Sequence, residues 1–286
     1  MLPSKHIPLW PGRDHPRMSI FLPRDGCPPL HHCAAMLVFQ GGSYRINNGS
    51  GEGCAQWFAD RGVLGIQVEY RTAEGPGLCA VTDEEPLFPR PVHDAVRAVR
   101  LVRQMALGLE VDPNRIGVVG FSAGGHLATM LCSAELPCAE SDEDDLQHIS
   151  FRPDVCVLCY PLISLGPSLR GPAGLGCCLR SLRCPEEGEE SLCAELRVRP
   201  GHPPTFLWHT HDDELVPVAH TETYARALEE HGVPHKALFY SGPHALGMCL
   251  EGEHANDWAE KMLEWLGGWA SPRFVAPAFF SKKKQI

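Results

Sequence analysis

Residues Val118–His126 read Val-Val-Gly-Phe-Ser-Ala-Gly-Gly-His. An apolar run enters the Gly-x-Ser-x-Gly pentapeptide Gly120–Gly124, and a helix-compatible stretch leaves it. That is the strand–turn–helix context in which a serine hydroxyl is held exposed at the carboxyl edge of a sheet. Glycines two residues to either side let the backbone turn without side-chain collision. Ser122 is therefore a candidate nucleophile, and the rest of the chain has to supply a base, an acid and an oxyanion hole. The bland alternative is a Gly-Ser turn, which the flanking strand and helix argue against.

Outward from this elbow, apolar runs alternate with helical patterns, the signature of a mostly parallel sheet covered on both faces. Strands are expected at Ala34–Phe39, Val63–Tyr70, Arg115–Phe121, Val155–Leu162, Thr205–Thr210 and His235–Tyr240. Helices are expected at Pro91–Leu107, Ala123–Ser133, Pro217–His231 and Ala255–Leu266. Pro91 suits a first helical turn, and Val92, Ala95, Val96, Val99, Leu101 and Val102 form a broad apolar stripe. Arg97, Arg100 and Arg103 on that helix read as a solvated face, and Asp112–Arg115 as a turn into the elbow strand. Residues 164–202, rich in Gly, Pro, Cys and charge, break the rhythm and read as an insertion over the sheet, either a lid or a solvated loop. The chain is expected to form one α/β domain over residues 1–272, followed by a tail at 273–286 that ends in a basic run.

A serine hydroxyl needs a base within hydrogen-bond reach, and the base needs an orienting acid. With this elbow the chain order is Ser, then Asp or Glu, then His. The turn His211-Asp-Asp-Glu-Leu-Val-Pro217 follows the strand Thr205–Thr210 and precedes a helix, which places it at the carboxyl end of the sheet, where ligands bind. Asp212 and Asp213 both qualify. The Asp-x-x-Val-Pro spacing usual with this elbow selects Asp213, leaving Asp212 to cap the turn or accept backbone amides. His244, in Ser241-Gly-Pro-His-Ala-Leu-Gly247 after the last strand, is the base candidate. Of the 15 histidines, His209 and His211 come too early for the required order. His126, one helical turn beyond Ser122, reads as a brace of the elbow, and His254 lies in a polar stretch. The oxyanion hole is expected from the Ala123 amide and from the loop Phe39-Gln-Gly-Gly-Ser-Tyr44, where Gly41 and Gly42 let the backbone approach a developing charge.

Composition excludes several classes. A net charge of -10 argues against nucleic acid. No run approaches the ~18 apolar residues of a membrane span, and the first residues lack the apolar core of a signal peptide, so a cytoplasmic protein is expected. The 13 cysteines sit mostly in apolar runs, where cysteine behaves as a small hydrophobe. The group Cys177, Cys178, Cys184 and Cys193 lacks zinc spacing, and no metal is expected.

Several further motifs fall into a recognisable set: Leu9-Trp10, Tyr70-Arg71, Pro91-Val-His-Asp94-Ala, Tyr160-Pro161, Pro203-Pro-Thr-Phe-Leu-Trp-His-Thr210 and Gly242-Pro-His244. With the elbow and the Gly-Gly loop, the chain from about residue 7 to residue 269 resembles the α/β-hydrolase serine esterases related to acetylxylan esterase and carbohydrate acetylesterase, with a poorer match over 166–198. The resemblance implies an α/β-hydrolase fold and a cofactor-free serine esterase that removes short acyl groups, often acetyl, from sugars or simple esters through an acyl-serine. It implies Ser122, Asp213 and His244 as the triad, and a small-molecule ester as the substrate, with neither nucleic acid nor membrane as a partner. Gln40 and Ser43 depart from the family around the glycines, and Ala245 replaces the glycine after the histidine. Aryl formamidases and prolyl-oligopeptidase-type peptidases use the same triad. A non-catalytic ligand receptor on this fold would typically lack the nucleophile or the base.

Overall fold

The computed structural model describes residues 5–23, 33–75, 86–134, 146–166, 169, 176–182, 190–267 and 269. The continuous apolar runs of the sequence are its central strands. β3 (Cys33–Phe39), β6 (Val155–Cys159) and β7 (Thr205–Thr210) are buried at every residue, and β5 (Val111–Phe121) is buried over its last seven. Burial on both faces removes the need for polar alternation, as parallel strands sandwiched by helices require. With β4 (Leu64–Glu69) and β8 (His235–Tyr240) these strands run parallel in the order β4-β3-β5-β6-β7-β8. Register pairs Phe39 with Gly120, Phe121 with Cys159, Cys159 with Trp208 and Thr210 with Tyr240. The strands therefore finish together, and the residues that follow them emerge along one edge.

Helices cover both faces. α2 (Arg90–Gln104), α3 (Ala123–Cys132) and α5 (Ala219–Glu230) share one apolar core with the sheet, and α1 (Ser50–Ala59) and α6 (Trp258–Leu266) share the other. On the second face Trp208 of β7 stacks on Trp258 of α6, 5.3 Å between centroids. A short α4 (Gly176–Leu182) lies in the inserted region. No helix among the described residues is long and apolar enough to cross a membrane.

Four features differ from the sequence reading. β1 (Lys5–Pro8) and β2 (Arg17–Phe21) extend the sheet antiparallel beyond β4, although β1 is largely exposed and ends in proline, so neither alternation nor a buried run marks it. α1 contains Gly51 and Gly53, each costing roughly 1 kcal/mol of helix propensity, and it is held instead by burying Cys54, Ala55, Trp57 and Phe58. The expected solvated basic face of α2 is a correction: Arg97 and Arg100 are buried. The Arg97 guanidinium donates to the Leu9 carbonyl and lies over Trp10, and Arg100 donates to the carbonyls of Ile149 and Gln147. Arg103 likewise donates to the carbonyls of Pro113, Ser150 and Arg152. Arg100 and Arg103 thus satisfy carbonyls of the irregular chain at 147–152. The Asp112–Arg115 turn lies inside β5 as a bulged start, with Asn114 N donating to Asp112 Oδ1 at 2.9 Å and a register shift against β3.

One buried ion pair locks α2 to the strand edge. Asp94 accepts from Arg71 through both oxygens and from Trp10 Nε1 at 2.7 Å, and it is fully buried. Burial pushes its carboxyl above the ordinary carboxylate range, against the pull of Arg71 and Trp10.

The described parts of the insertion are tied down by two buried histidines. His126 of α3 donates from Nε2 to the Leu192 carbonyl at 2.8 Å and accepts from the Tyr44 hydroxyl at 2.7 Å. His220 of α5 accepts from the amides of Ile163 and Ser164 and donates to the Leu169 carbonyl. Burial lowers both to about 4, keeping each ring neutral and able to accept at Nδ1. Cys184 and the tail at 273–286 lie outside the described residues.

Candidate active site

Ser122 sits between β5 and α3 with φ 53° and ψ −117°, a region a non-glycine residue adopts only where its surroundings impose it. Here the imposition is explicit. Its amide donates to Cys159 O at 3.0 Å, and its carbonyl accepts from Gly125 N at 2.9 Å and Leu162 N at 3.0 Å. The side chain is thereby lifted out at the common edge of the strands. Gly124 is needed for close approach: a Cβ there would sit 2.2 Å from the Phe39 carbonyl oxygen, so no other residue lets α3 start this near β3.

The loop after β3 brings Gly41 and Gly42 alongside. A Cβ on Gly41 would touch the Ser122 side chain at 3.3 Å, and Gly42 has φ 125° with the Ile46 carbonyl 2.0 Å from where a Cβ would stand. The Gly42 carbonyl closes a tight turn by accepting from the amides of Arg45 and Ile46. The amides of Gly42 and Ala123 engage in no hydrogen bond among the described residues. Gln40 is buried beneath this loop; its side chain accepts from Gly49 N at 2.8 Å and its carbonyl from the Tyr70 hydroxyl at 2.7 Å.

His244 comes from the loop after β8 and Asp213 from the loop after β7. Ser122 Oγ lies 2.9 Å from His244 Nε2, and His244 Nδ1 lies 2.5 Å from Asp213 Oδ2. Asp213 Oδ1 accepts from the amides of Leu215 at 3.0 Å and Val216 at 2.8 Å. Burial alone would raise the Asp213 carboxyl; hydrogen bonds from His209, His244 and Val216, with the charge of His244, override it and hold the carboxyl well below the usual carboxylate range. Asp213 is thus an acceptor throughout the working range. Asp212 takes the other position, its Oδ2 accepting from Gly242 N at 2.9 Å, which ties the two loops together.

The candidate residues are therefore brought to one place: Ser122, His244 and Asp213 in hydrogen-bonded series, with Gly41 and Gly42 beside the serine and Ala123 opening α3. His211 is exposed and stacks on Phe239 instead. His126 reaches Tyr44 of the glycine loop, so it joins the elbow helix to that loop. Sequence reasoning assigned no role to Tyr160. Its ring meets the His244 imidazole edge to face, centroids 5.1 Å apart, and its hydroxyl accepts from Gly247 N at 2.9 Å. A tyrosine directly after a buried strand, with φ 36°, is the only local signal of this role.

A cleft of about 180 Å³ opens over the serine, walled by Gly41, Gly42, Ser43, Tyr160, Leu215 and Ala245, with Asn48 and Ser50 adding polar groups. Drug-sized ligands occupy about 300–1,000 Å³, so the space beside the serine suits a small group. The arrangement can activate the hydroxyl for attack on a carbonyl held in this cleft.

The chain is similar to several known proteins. The family described as BD-FAE matches residues 18–155. The chain is 30% identical over 244 residues to the endo-1,4-beta-xylanase B of Butyrivibrio fibrisolvens and 24% identical over 248 residues to the acetylxylan esterase of Xylanibacter ruminicola, each alignment covering 84% of the chain. It spans only 34% and 46% of the length of those two curated relatives. The crystal structure of an acetyl ester-xyloside bifunctional hydrolase from Caldicellulosiruptor lactoaceticus superposes with a TM-score of 0.78 at 30% identity, over 93% of this chain and 97% of that one.

Proposed function

The chain belongs to the α/β-hydrolase esterases related to acetylxylan esterase, and from that premise we propose that it is a serine carboxylesterase acting on short acyl esters, acetyl above all. The observation that carries the reading is the unbroken series Ser122 Oγ, His244 and Asp213, at 2.9 and 2.5 Å, whose serine and histidine line the small cleft. In the proposed sequence, Ser122 Oγ attacks the ester carbonyl as its proton passes to His244 Nε2. Asp213 holds the tautomer with the proton on Nδ1 and stabilises the imidazolium. The amides of Gly42 and Ala123, helped by the close backbone of Gly41, receive the negative oxygen. His244 then gives its proton to the departing alkoxide, the alcohol leaves, and an acyl-Ser122 ester remains. A water that loses its proton to His244 attacks this ester, the acid is released, and Ser122 recovers its proton.

The cleft volume favours a short acyl group, and Asn48 and Ser50 favour a polar, hydroxyl-bearing alcohol. Acetylated carbohydrate is the substrate class this suggests. An intact nucleophile and base weigh against a receptor. Ser122→Ala is expected to lower turnover of p-nitrophenyl acetate by about 10⁶-fold, to abolish labelling by a fluorophosphonate probe, and to leave the fold intact by circular dichroism. A Ser122→Ala variant that still hydrolyses the ester overturns the reading.

A further inference from the structure

Asp213 does more than face His244. Its Oδ2 lies 2.5 Å from His244 Nδ1 and 3.1 Å from His209 Nε2, so two imidazoles converge on one oxygen. His209 is fully buried on β7, four residues before Asp213. The Val216 carbonyl stands 2.9 Å from the same Nε2 and can only accept, which assigns the proton to Nε2. The Thr221 hydroxyl, 2.7 Å from Nδ1, then donates. Strand β7 and helix α5 together fix this second imidazole in one tautomer, with its one Nε2–H shared between the Val216 carbonyl and the acid.

We propose that His209 is a positioning residue of the proton relay, its Nε2–H fixing the Asp213 oxygen that grips His244 and limiting how tightly that oxygen holds a protonated His244. The inference deepens the esterase reading above and rests on it. A carboxylate oxygen that accepts two N–H groups presents less charge to each than one that accepts a single group. With His209 in place, Asp213 orients the imidazole without retaining the proton that must return to the alkoxide or to Ser122. Without it, Oδ2 turns fully to His244, the imidazolium is favoured, and the neutral base is available only at higher pH.

The groups packed around this pair bear on the pH dependence. His220 on α5 faces both His209 and Asp213, and burial holds it down to about 4, so it stays uncharged where the base titrates. Burial pushes the Tyr160 phenol well up, so it stays protonated there. Asp212 is turned to the Gly242 amide.

The test is the pH profile of kcat/KM for p-nitrophenyl acetate in His209→Phe, His209→Gln and Thr221→Val, with fluorophosphonate labelling of each. His209→Phe is expected to lower kcat several-fold and to move the acid limb to higher pH by about 0.5–1 unit. His209→Gln, whose amide can again donate to Oδ2, is expected to bring the limb back. Loss of activity or thermal stability in His209→Phe with the limb unmoved would mean a purely structural histidine and overturns the proposal. Should His209→Phe fail to fold, Thr221→Val decides, because it removes the hydroxyl that holds the imidazole from its Nδ1 side: an upward limb supports the role, an unmoved one ends it. A wild-type chain that neither labels nor hydrolyses the ester defeats the esterase reading itself, a failure separate from a limb that stays in place.

Discussion

Asp213 and Asp212 are neighbours with opposite duties. Asp213 is buried with four donors on its two oxygens, whereas the Asp212 carboxylate is spent on the Gly242 amide. Asp213→Asn keeps the shape but offers an amide where an acceptor is required, so the imidazole is held in the wrong tautomer. Its kcat on p-nitrophenyl acetate should fall about 10⁴-fold, while Asp212→Asn should cost less than about tenfold, and equal losses would contradict the assignment. Much of this was legible in the sequence. Chain order and the strand-to-loop context of Ser122, Asp213 and His244 are local patterns, and the Asp-x-x-Val-Pro spacing separates two adjacent carboxylates. His209 was set aside because order excludes it as the base. Its partnership with Asp213 depends on a β7 side chain turning back past the end of its own strand, which no spacing rule expresses. Tyr160 was hidden for a similar reason, since its contacts are with a loop 84 or more residues away in sequence.

At the level of elements, what could be read depended on how each one is stabilised. β3, β6, β7 and the last part of β5 are continuous apolar runs because both faces are covered, and they stand close to where the sequence placed them, although β5 starts four residues earlier, at Val111, and β6 ends at Cys159. β1 and α1 are products of tertiary contact, one an exposed edge and the other a glycine-bearing helix, and their own residues carry little signal. The arginines of α2 show the complementary error: a charged stripe at helical spacing was read as solvated, but long side chains can bury their stems while their heads pair with carbonyls. The same helix carries Asp94, whose partner Arg71 follows β4. Removing the charge from one member of such a buried pair leaves the other uncompensated, so Asp94→Asn should destabilise the chain by about 3–5 kcal/mol, read by urea unfolding at equilibrium. A loss under about 1 kcal/mol would show that the carbonyl of Arg90, which also accepts from Arg71, suffices to hold the guanidinium.

Across the whole molecule, His126, His202 and His220 are buried, and burial lowers each from the ordinary 6.5 to about 4. The unfolded chain therefore takes up protons on these rings at higher pH than the folded one. Stability is complete above the unfolded value, falls as pH drops from about 6.5 towards 4, and loses nothing more from these groups below that. Each ring contributes at most about 3–4 kcal/mol to this loss, and the melting temperature should decline steadily through that window. A flat melting temperature from neutral pH to the lower end would contradict it. His126 has a second consequence. The imidazole that hydrogen-bonds the Leu192 carbonyl on one side and the Tyr44 hydroxyl on the other makes the variable segment and the glycine turn mechanically one piece. Grafting a foreign segment in place of 164–202 to retune the choice of leaving alcohol would therefore disturb catalysis as well as selectivity, unless the graft offers a carbonyl where Leu192 now does.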